Sequence, residues 1–239
     1  HKEKLSLFRQ SGYVSLGGKA FQVNAELPNS NQPIQRLLIT TKSTDTKAAL
    51  NSIKHRIAEN AKVIVLQNGM GSQEWVSNQL PQAEVAWAST TDGAWLKSAF
   101  NVVLAGQGVT KIGNSSGSFD WLNKFENGFL KVEPDSDITG TLWRKLAINC
   151  AINPLTAIHQ CQNGQLTRNP DLLNEMAKLC HEIESVANAA NHPLFDSPLI
   201  EQACHVADIT ADNFSSMYQD VKYKRLTEIE FINGYLCNL

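Results

Sequence analysis

Residues 62–72, KVIVLQNGMGS, read as a buried strand running straight into a turn with two glycines, and this stretch decides the fold. KVIVLQ (62–67) is short, apolar and β-branched, the composition of a strand covered on both faces. The turn NGMGS (68–72) leads into a helical stretch, QEWVSNQL (73–80). The same alternation extends on both sides. RLLITT (36–41) is a strand candidate followed by the helical TDTKAALNSIKHRI (44–57), and EVAWASTT (84–91) is a third strand candidate. Strand and helix alternating at this spacing predict a parallel sheet with helices on its faces. Two β-rich runs in NVVLAGQGVTKIG (101–113), around Gly106 and Gly108, predict an antiparallel hairpin that closes that sheet. A stretch rich in Gly and Ser (113–118) then leads into a short helix, FDWLNKFENGF (119–129).

From Asp137 onward helices dominate. Apolar residues recur at three- and four-residue spacing in 142–158, 175–190, 198–213 and 216–236. The expected fold class is therefore α/β plus all-α, with one domain over 1–136 and a helical one over 137–239. There is no internal repeat and no low-complexity tract.

At 239 residues the chain can form one large or two modest domains, each with a core. A net charge of −2 without any Lys/Arg-rich run argues against nucleic acid as a partner. The apolar stretches are too short to span a membrane, and the polar N-terminus HKEKLSLFRQSG is no signal peptide. Five cysteines, an odd number without a C-x-x-C pair, fit a reduced cytoplasmic enzyme better than a disulfide framework or a zinc site. Cys180-His181 and Cys204-His205 sit on amphipathic patterns and read as packing and surface residues, so no metal is expected. The chain opens at His1 and closes on FINGYLCNL inside a helical pattern, so it is expected to lack native sequence at both ends.

Three constellations could carry chemistry. In LWRKLAINCAINPLTAI (142–158), Lys145, Asn149 and Asn153 are spaced four apart, which places them on one helix face. A lysine desolvated among Trp, Leu and Ile loses preference for its charged form and becomes a candidate acid, with two carboxamides to orient a substrate. The plainer alternative is a buried helix whose lysine snorkels to water. Pro154 is expected to bend or stop this helix and to leave the carbonyl of Cys150 free near the polar stripe. Second, Lys42 and Asn68 lie just past strand ends, the edge where open α/β sheets bind ligands. Asn68-Gly69-Met70-Gly71 suits close backbone approach to a ligand, or is simply a βα turn. It matches neither G-x-G-x-x-G nor a P-loop. Third, Ser216 and Gln219 have capping-box spacing, so Ser216 would start the last helix or receive a substrate carboxylate there. On that helix Arg225 and Glu228 form an expected i,i+3 pair, and Glu230 points nearly opposite to Glu228, so at most one of the two acids is expected to enter a shared site.

Taken together, these segments resemble the ketopantoate reductase (2-dehydropantoate 2-reductase) family. The resemblance rests on LLITTK with Lys42, QNGMGS with Asn68, residues 141–157, CQNGQL (161–166), NFSSMYQD (213–220) and RLTEIEFING (225–234). It implies a Rossmann-type dinucleotide-binding domain followed by a helical domain of the 6-phosphogluconate-dehydrogenase-like type, with the active site in the cleft between them. The implied reaction is reduction of 2-dehydropantoate to (R)-pantoate with NADPH, on the way to pantothenate and coenzyme A. The resemblance implies Lys145 as general acid. It implies Asn68, Asn149, Asn153, Asn163 and Ser216 around the substrate, and Lys42, Asn68, Ala94 and Glu228 around the cofactor. It favours Glu228 over Glu230. The opening strand, the glycine-rich pyrophosphate loop and the first helix of such enzymes have no counterpart in these residues, so NADP rather than NAD is implied by the resemblance alone.

Two other functions compete with this one. A relative could reduce another 2-keto or 3-hydroxy acid with the same K-x-x-x-N helix, but the last-helix motifs argue against it. A non-catalytic nucleotide-binding remnant is disfavoured by the intact polar stripe. The expected partner is a small-molecule substrate, and the expected state a monomer or homodimer.

Overall fold

The computed structural model describes residues 2–114, 121 and 131–239. The expected Gly/Ser stretch and the short helix over 119–129 lie largely outside the described residues.

The chain opens with helix α1 (Lys2–Ser11), followed by strands β1 (Tyr13–Leu16) and β2 (Lys19–Gln22), none of which the pattern announced. The expected alternation then appears as β3 (Ile34–Ile39), α2 (Ser43–Ile53), β4 (Ile57–Leu66), α3 (Ser72–Gln79) and β5 (Glu84–Thr90). Helix α2 stops earlier than expected. Lys54–Arg56 form a 3-10 turn, and β4 takes Ile57 onward.

These strands build a five-stranded sheet in the order β3-β4-β5-β8-β9, with β8 (Thr110–Gly113) and β9 (Val132–Pro134). β3, β4 and β5 run parallel, and β8 joins β5 antiparallel. The centre of β4 shows why KVIVLQ reads as it does. Val63 and Val65 pack into the main core with Leu50, Val76 and Leu80, while Ile64 packs on the other face with Ala86, Ala88 and Ile112. A strand covered on both faces cannot alternate with polar residues.

The expected hairpin at 101–113 is corrected. Its two runs belong to different sheets: β7 (Asn101–Gly106) pairs with β6 (Gly93–Ser98) and with β1, whereas β8 pairs with β5 and β9. The hairpin is β6–β7, turning at Ala99 and Phe100, and it extends a second sheet of order β2-β1-β7-β6.

The second half is helical: α4 (Ile138–Ile158), α5 (Gln165–Arg168), α6 (Pro170–Ala189), α7 (Leu199–Ile209), α8 (Ser216–Lys222) and α9 (Asn233–Cys237). Asp137 caps α4 by accepting the N–H of Gly140 at 3.0 Å. Of the bend or stop expected at Pro154, the stop is excluded, since α4 continues to Ile158. The supposed single helix over 216–236 is two short helices, separated by a bend and a 3-10 turn at Ile229–Phe231. The break follows Lys224, whose φ of 53° is left-handed and cannot continue a helix.

Candidate active site

Lys145, Asn149 and Asn153 lie on α4, and the lysine points toward the carboxyl end of the parallel sheet. Its Nζ donates to the carbonyl of Thr90, the last residue of β5, at 2.8 Å. Desolvation lowers its pKa from 10.5 to about 8, and the charge of Glu228 acts in the opposite direction. The stripe is therefore a desolvated lysine held in place, rather than one reaching for water. The carboxamides of Asn149 and Asn153 make no hydrogen bond to another described residue, although Asn153 is buried. Groups of this kind are open to a ligand.

The Thr90 carbonyl is itself fixed. Asp92 accepts the Thr90 hydroxyl at 2.8 Å and the N–H of Gly108 at 2.8 Å, and Thr110 Oγ1 lies 2.9 Å from Thr90 Oγ1. The Gly108 N–H holds the Asp92 carboxyl below the usual carboxylate range, helped by the Thr90 and Thr110 hydroxyls against the cost of burial. Sequence reading missed Thr90 and Asp92, and only their position at a strand end could have marked them.

Pro154 explains the third link. Without an N–H it leaves the carbonyl of Cys150 without its helical partner. That carbonyl accepts instead from Asn233 Nδ2 at 3.2 Å, so α4 runs on without an orphaned group. Asn233 ends a segment, 226–233, that also reaches the strand-end loops. Glu228 Oε1 accepts the N–H of Ser43 at 2.8 Å, at the start of α2. The carbonyl of Phe231 accepts the N–H of Met70 at 2.8 Å, and that of Leu226 accepts Lys42 Nζ at 3.0 Å.

These contacts alter the reading of the glycine turn. Gly69 and Gly71 have φ of 79° and 91°, as an NGMG turn requires, but a Cβ on Gly69 would lie 2.5 Å from the Phe231 carbonyl oxygen. At Gly69 the close backbone approach is to the protein's own segment. The Asn68 side chain makes no hydrogen bond to another described residue, while its carbonyl accepts the Ser43 hydroxyl at 2.9 Å. A cleft of about 250 Å³ opens beside this turn, lined by Ser43, Lys47, Met70, Trp75, Glu230 and Tyr235 among others. None of the polar residues of α4 lines it.

Lys42 lies where expected, beyond β3, but its ammonium is paired with Asp220 at 2.6 Å, and Arg225 Nε meets the same buried carboxylate at 3.0 Å. The expected Arg225–Glu228 pair is thus replaced by Arg225–Asp220, because the chain bends between the two residues. For the same reason the opposition of Glu228 and Glu230 across one helix does not hold. It is Glu228, however, whose charge reaches Lys145.

Ser216 is corrected as a cap. Ser215 caps α8, its Oγ accepting the N–H of Tyr218 at 3.0 Å, and it is buried against Thr156 Oγ1 of α4 at 2.7 Å. The capping spacing was displaced by one residue, which leaves Ser216 exposed and its hydroxyl without a described partner. Asn163 is buried, with Nδ2 donating to Thr210 Oγ1 at 2.8 Å and Oδ1 unpartnered. Ala94 is exposed on β6, opposite Leu104, and takes no part in the hydrogen-bonded group around Lys145.

The family model for ketopantoate reductase PanE/ApbA matches residues 2–117, and the model for its C-terminal part matches residues 137–239. The 2-dehydropantoate 2-reductase of Vibrio cholerae is 39% identical over 205 residues, covering 84% of this chain and 69% of that protein. That of Yersinia pestis is 32% identical over 230 residues, covering 93% of this chain and 74% of its own. The crystal structure of a PanE/ApbA family ketopantoate reductase from Ralstonia eutropha is similar with a TM-score of 0.87 at 27% identity, over all of this chain and 80% of that one.

Proposed function

The chain belongs to the ketopantoate reductase family, and on that premise we propose that it reduces 2-dehydropantoate to (R)-pantoate with NADPH, Lys145 acting as the general acid. The single observation that carries this reading is the desolvated lysine at the carboxyl end of the sheet, with a pKa lowered to about 8. A general acid works best when its pKa is near the working pH, because it is then both protonated and willing to give up the proton.

The cofactor follows from the chemistry, since a ketone cannot be reduced by the side chains alone; NADPH supplies the hydride when bound. In this reading Asn68 offers the nicotinamide nucleotide an unpartnered carboxamide, while Lys42, paired with Asp220, and Glu228, which accepts the Ser43 N–H, reach it only by sharing or exchanging those partners. Ala94 is the one assigned cofactor residue that the hydrogen-bonded group leaves out. In this reading Lys145 stabilises the negative charge that builds on the ketone oxygen and passes that oxygen its proton, becoming neutral until solvent restores it. Asn149 and Asn153, with Asn163 and Ser216 further out, hold the hydroxyl and carboxylate of the substrate so that one face of the carbonyl is presented. On this assignment the acid and most of the substrate groups come from residues 137–239 and most of the cofactor groups from 1–136, with Asn68 serving both and Glu228 reaching the cofactor from the second half.

The test is oxidation of NADPH by the enzyme with 2-dehydropantoate, run beside NADH and beside other 2-keto acids. Turnover of 2-dehydropantoate with a clear preference for NADPH supports the reading. Turnover only of another keto acid overturns the substrate, and equal use of NADH overturns the cofactor preference.

A further inference from the structure

The segment 226–233 is tied on one side to the strand-end loops, through Leu226 to Lys42, Glu228 to Ser43 and Phe231 to Met70. On the other side its hydrogen bond to the lysine helix is that of Asn233 with the Cys150 carbonyl. We propose that Asn233 is a positioning residue that registers Glu228 against Lys145, using the carbonyl that Pro154 sets free. The inference rests on Lys145 being the working acid of the proposed reaction, but the tie itself does not depend on the substrate.

Three observations carry it. Cys150 is fully buried, so its carbonyl, deprived of a helical N–H by Pro154, has no recourse to water. Asn233 is the first residue of α9, whose N-cap position is held by Ile232 without a side-chain bond, and the Asn233 carboxamide reaches across to α4. It does so although its Oδ1 is buried without a partner among the described residues, so the donor half of the side chain is the half being used. Cys150 sits next to Asn149 and one turn beyond Lys145, and Glu228 lies five residues before Asn233. A shift of the segment along α4 therefore moves Glu228, the charged group that acts on Lys145.

The proposal separates from a merely structural hydrogen bond by a cycle of three variants of the enzyme: Asn233→Ala, Pro154→Ala and the two combined. Unfolding in urea reads the bond. Asn233→Ala orphans a buried carbonyl and lowers the folding constant by about tenfold. On the Pro154→Ala background, where a backbone N–H is restored to that carbonyl, the same change costs far less. Additive costs would overturn the pairing. Competitive labelling of Lys145 with trace acetic anhydride across pH, read by mass spectrometry, reports the register. Asn233→Ala shifts the lysine's titration downward, because Glu228, whose charge favours the protonated lysine, is no longer held in register with α4. The combined variant keeps that downward shift although its helix bond is restored. An unchanged titration in Asn233→Ala, or its full recovery in the combined variant, would overturn the positioning role. Both readouts need no substrate, so failure to turn over 2-dehydropantoate counts against the proposed reaction and not against the tie.

Discussion

Lys145 and Thr90 join the two halves of the molecule at the site: the ammonium on α4 donates to the last carbonyl of β5 at 2.8 Å. A neutral carbonyl holds the lysine in place without offering it a compensating charge, and so leaves its pKa depressed by burial. The nearest compensation comes from Glu228, which is shared with the N-terminus of α2. The lysine is thereby left protonated at neutral pH yet readier than an ordinary lysine to lose its proton.

Replacing Lys145 by methionine separates function from stability. Turnover of 2-dehydropantoate is expected to fall by about 10²–10⁴-fold, the usual contribution of a positioned acid. Stability moves the other way. A lysine whose folded pKa of about 8 lies below its ordinary value of 10.5 costs stability wherever both states are protonated, and that cost is relieved as pH rises from the lower value to the higher. Lys145→Met is therefore expected to raise Tm at neutral pH, with an advantage that shrinks in alkali. Steady-state kinetics and thermal melts across pH check both; near-normal turnover removes Lys145 as the acid.

The pH profile of the reduction carries a second expectation. The proton donor must be charged, so kcat falls as pH rises through about 8. Glu228→Gln removes the charge that supports protonation and should move this alkaline limb to lower pH. A limb that stays in place would show that the titration belongs to another group.

The parts of this arrangement that the sequence disclosed are those where burial is uniform along an element. β4 is covered on both faces, so its residues are apolar without a break, and α4 is buried along a face that its four-residue spacing displays. The parts that stayed hidden depend on single backbone angles or on contacts distant in sequence. Nothing in KYKRL marks Lys224 as the end of a helix, since no glycine or proline stands there, and the apolar spacing continues across the bend. β6 carries an exposed Trp95 and Leu96, so its composition gives no inside and outside to read. Pro154 was legible as a disruption, but the partner of the Cys150 carbonyl it frees lies 83 residues away, beyond the reach of local pattern.

Adjacent serines at the start of α8 are expected to respond oppositely. Ser215 caps the helix and meets Thr156, so Ser215→Ala should cost about 1–2 kcal/mol of stability. Ser216 is exposed and without a described partner; Ser216→Ala should leave Tm unchanged and raise KM for 2-dehydropantoate. Melting curves and KM values for the two variants decide the matter. A loss of stability in Ser216→Ala with KM unchanged would return that residue to a structural part.

Gly69 tests whether the strand-end turn and the 226–233 segment act as one piece. Its φ of 79° already disfavours any side chain, and a Cβ there would press on the Phe231 carbonyl oxygen at 2.5 Å, well inside contact distance. The oxygen cannot retreat cheaply, because it accepts the Met70 N–H at 2.8 Å and its segment is fixed further along at Asn233. Gly69→Ala is therefore expected to destabilise by about 2 kcal/mol or more, from strain at the left-handed angle together with the displaced contact. Gly71→Ala makes the control. It shares the positive φ but would meet only the Tyr235 ring, at 3.5 Å, so it should carry the conformational cost without the clash. Urea unfolding of both variants gives the difference directly. If the segment and the turn are one piece, Gly69→Ala should also lower kcat by moving Glu228, whereas Gly71→Ala should lower it less. Equal effects of the two substitutions on stability and on kcat would mean that the contact with Phe231 yields freely and that the turn does not hold the segment.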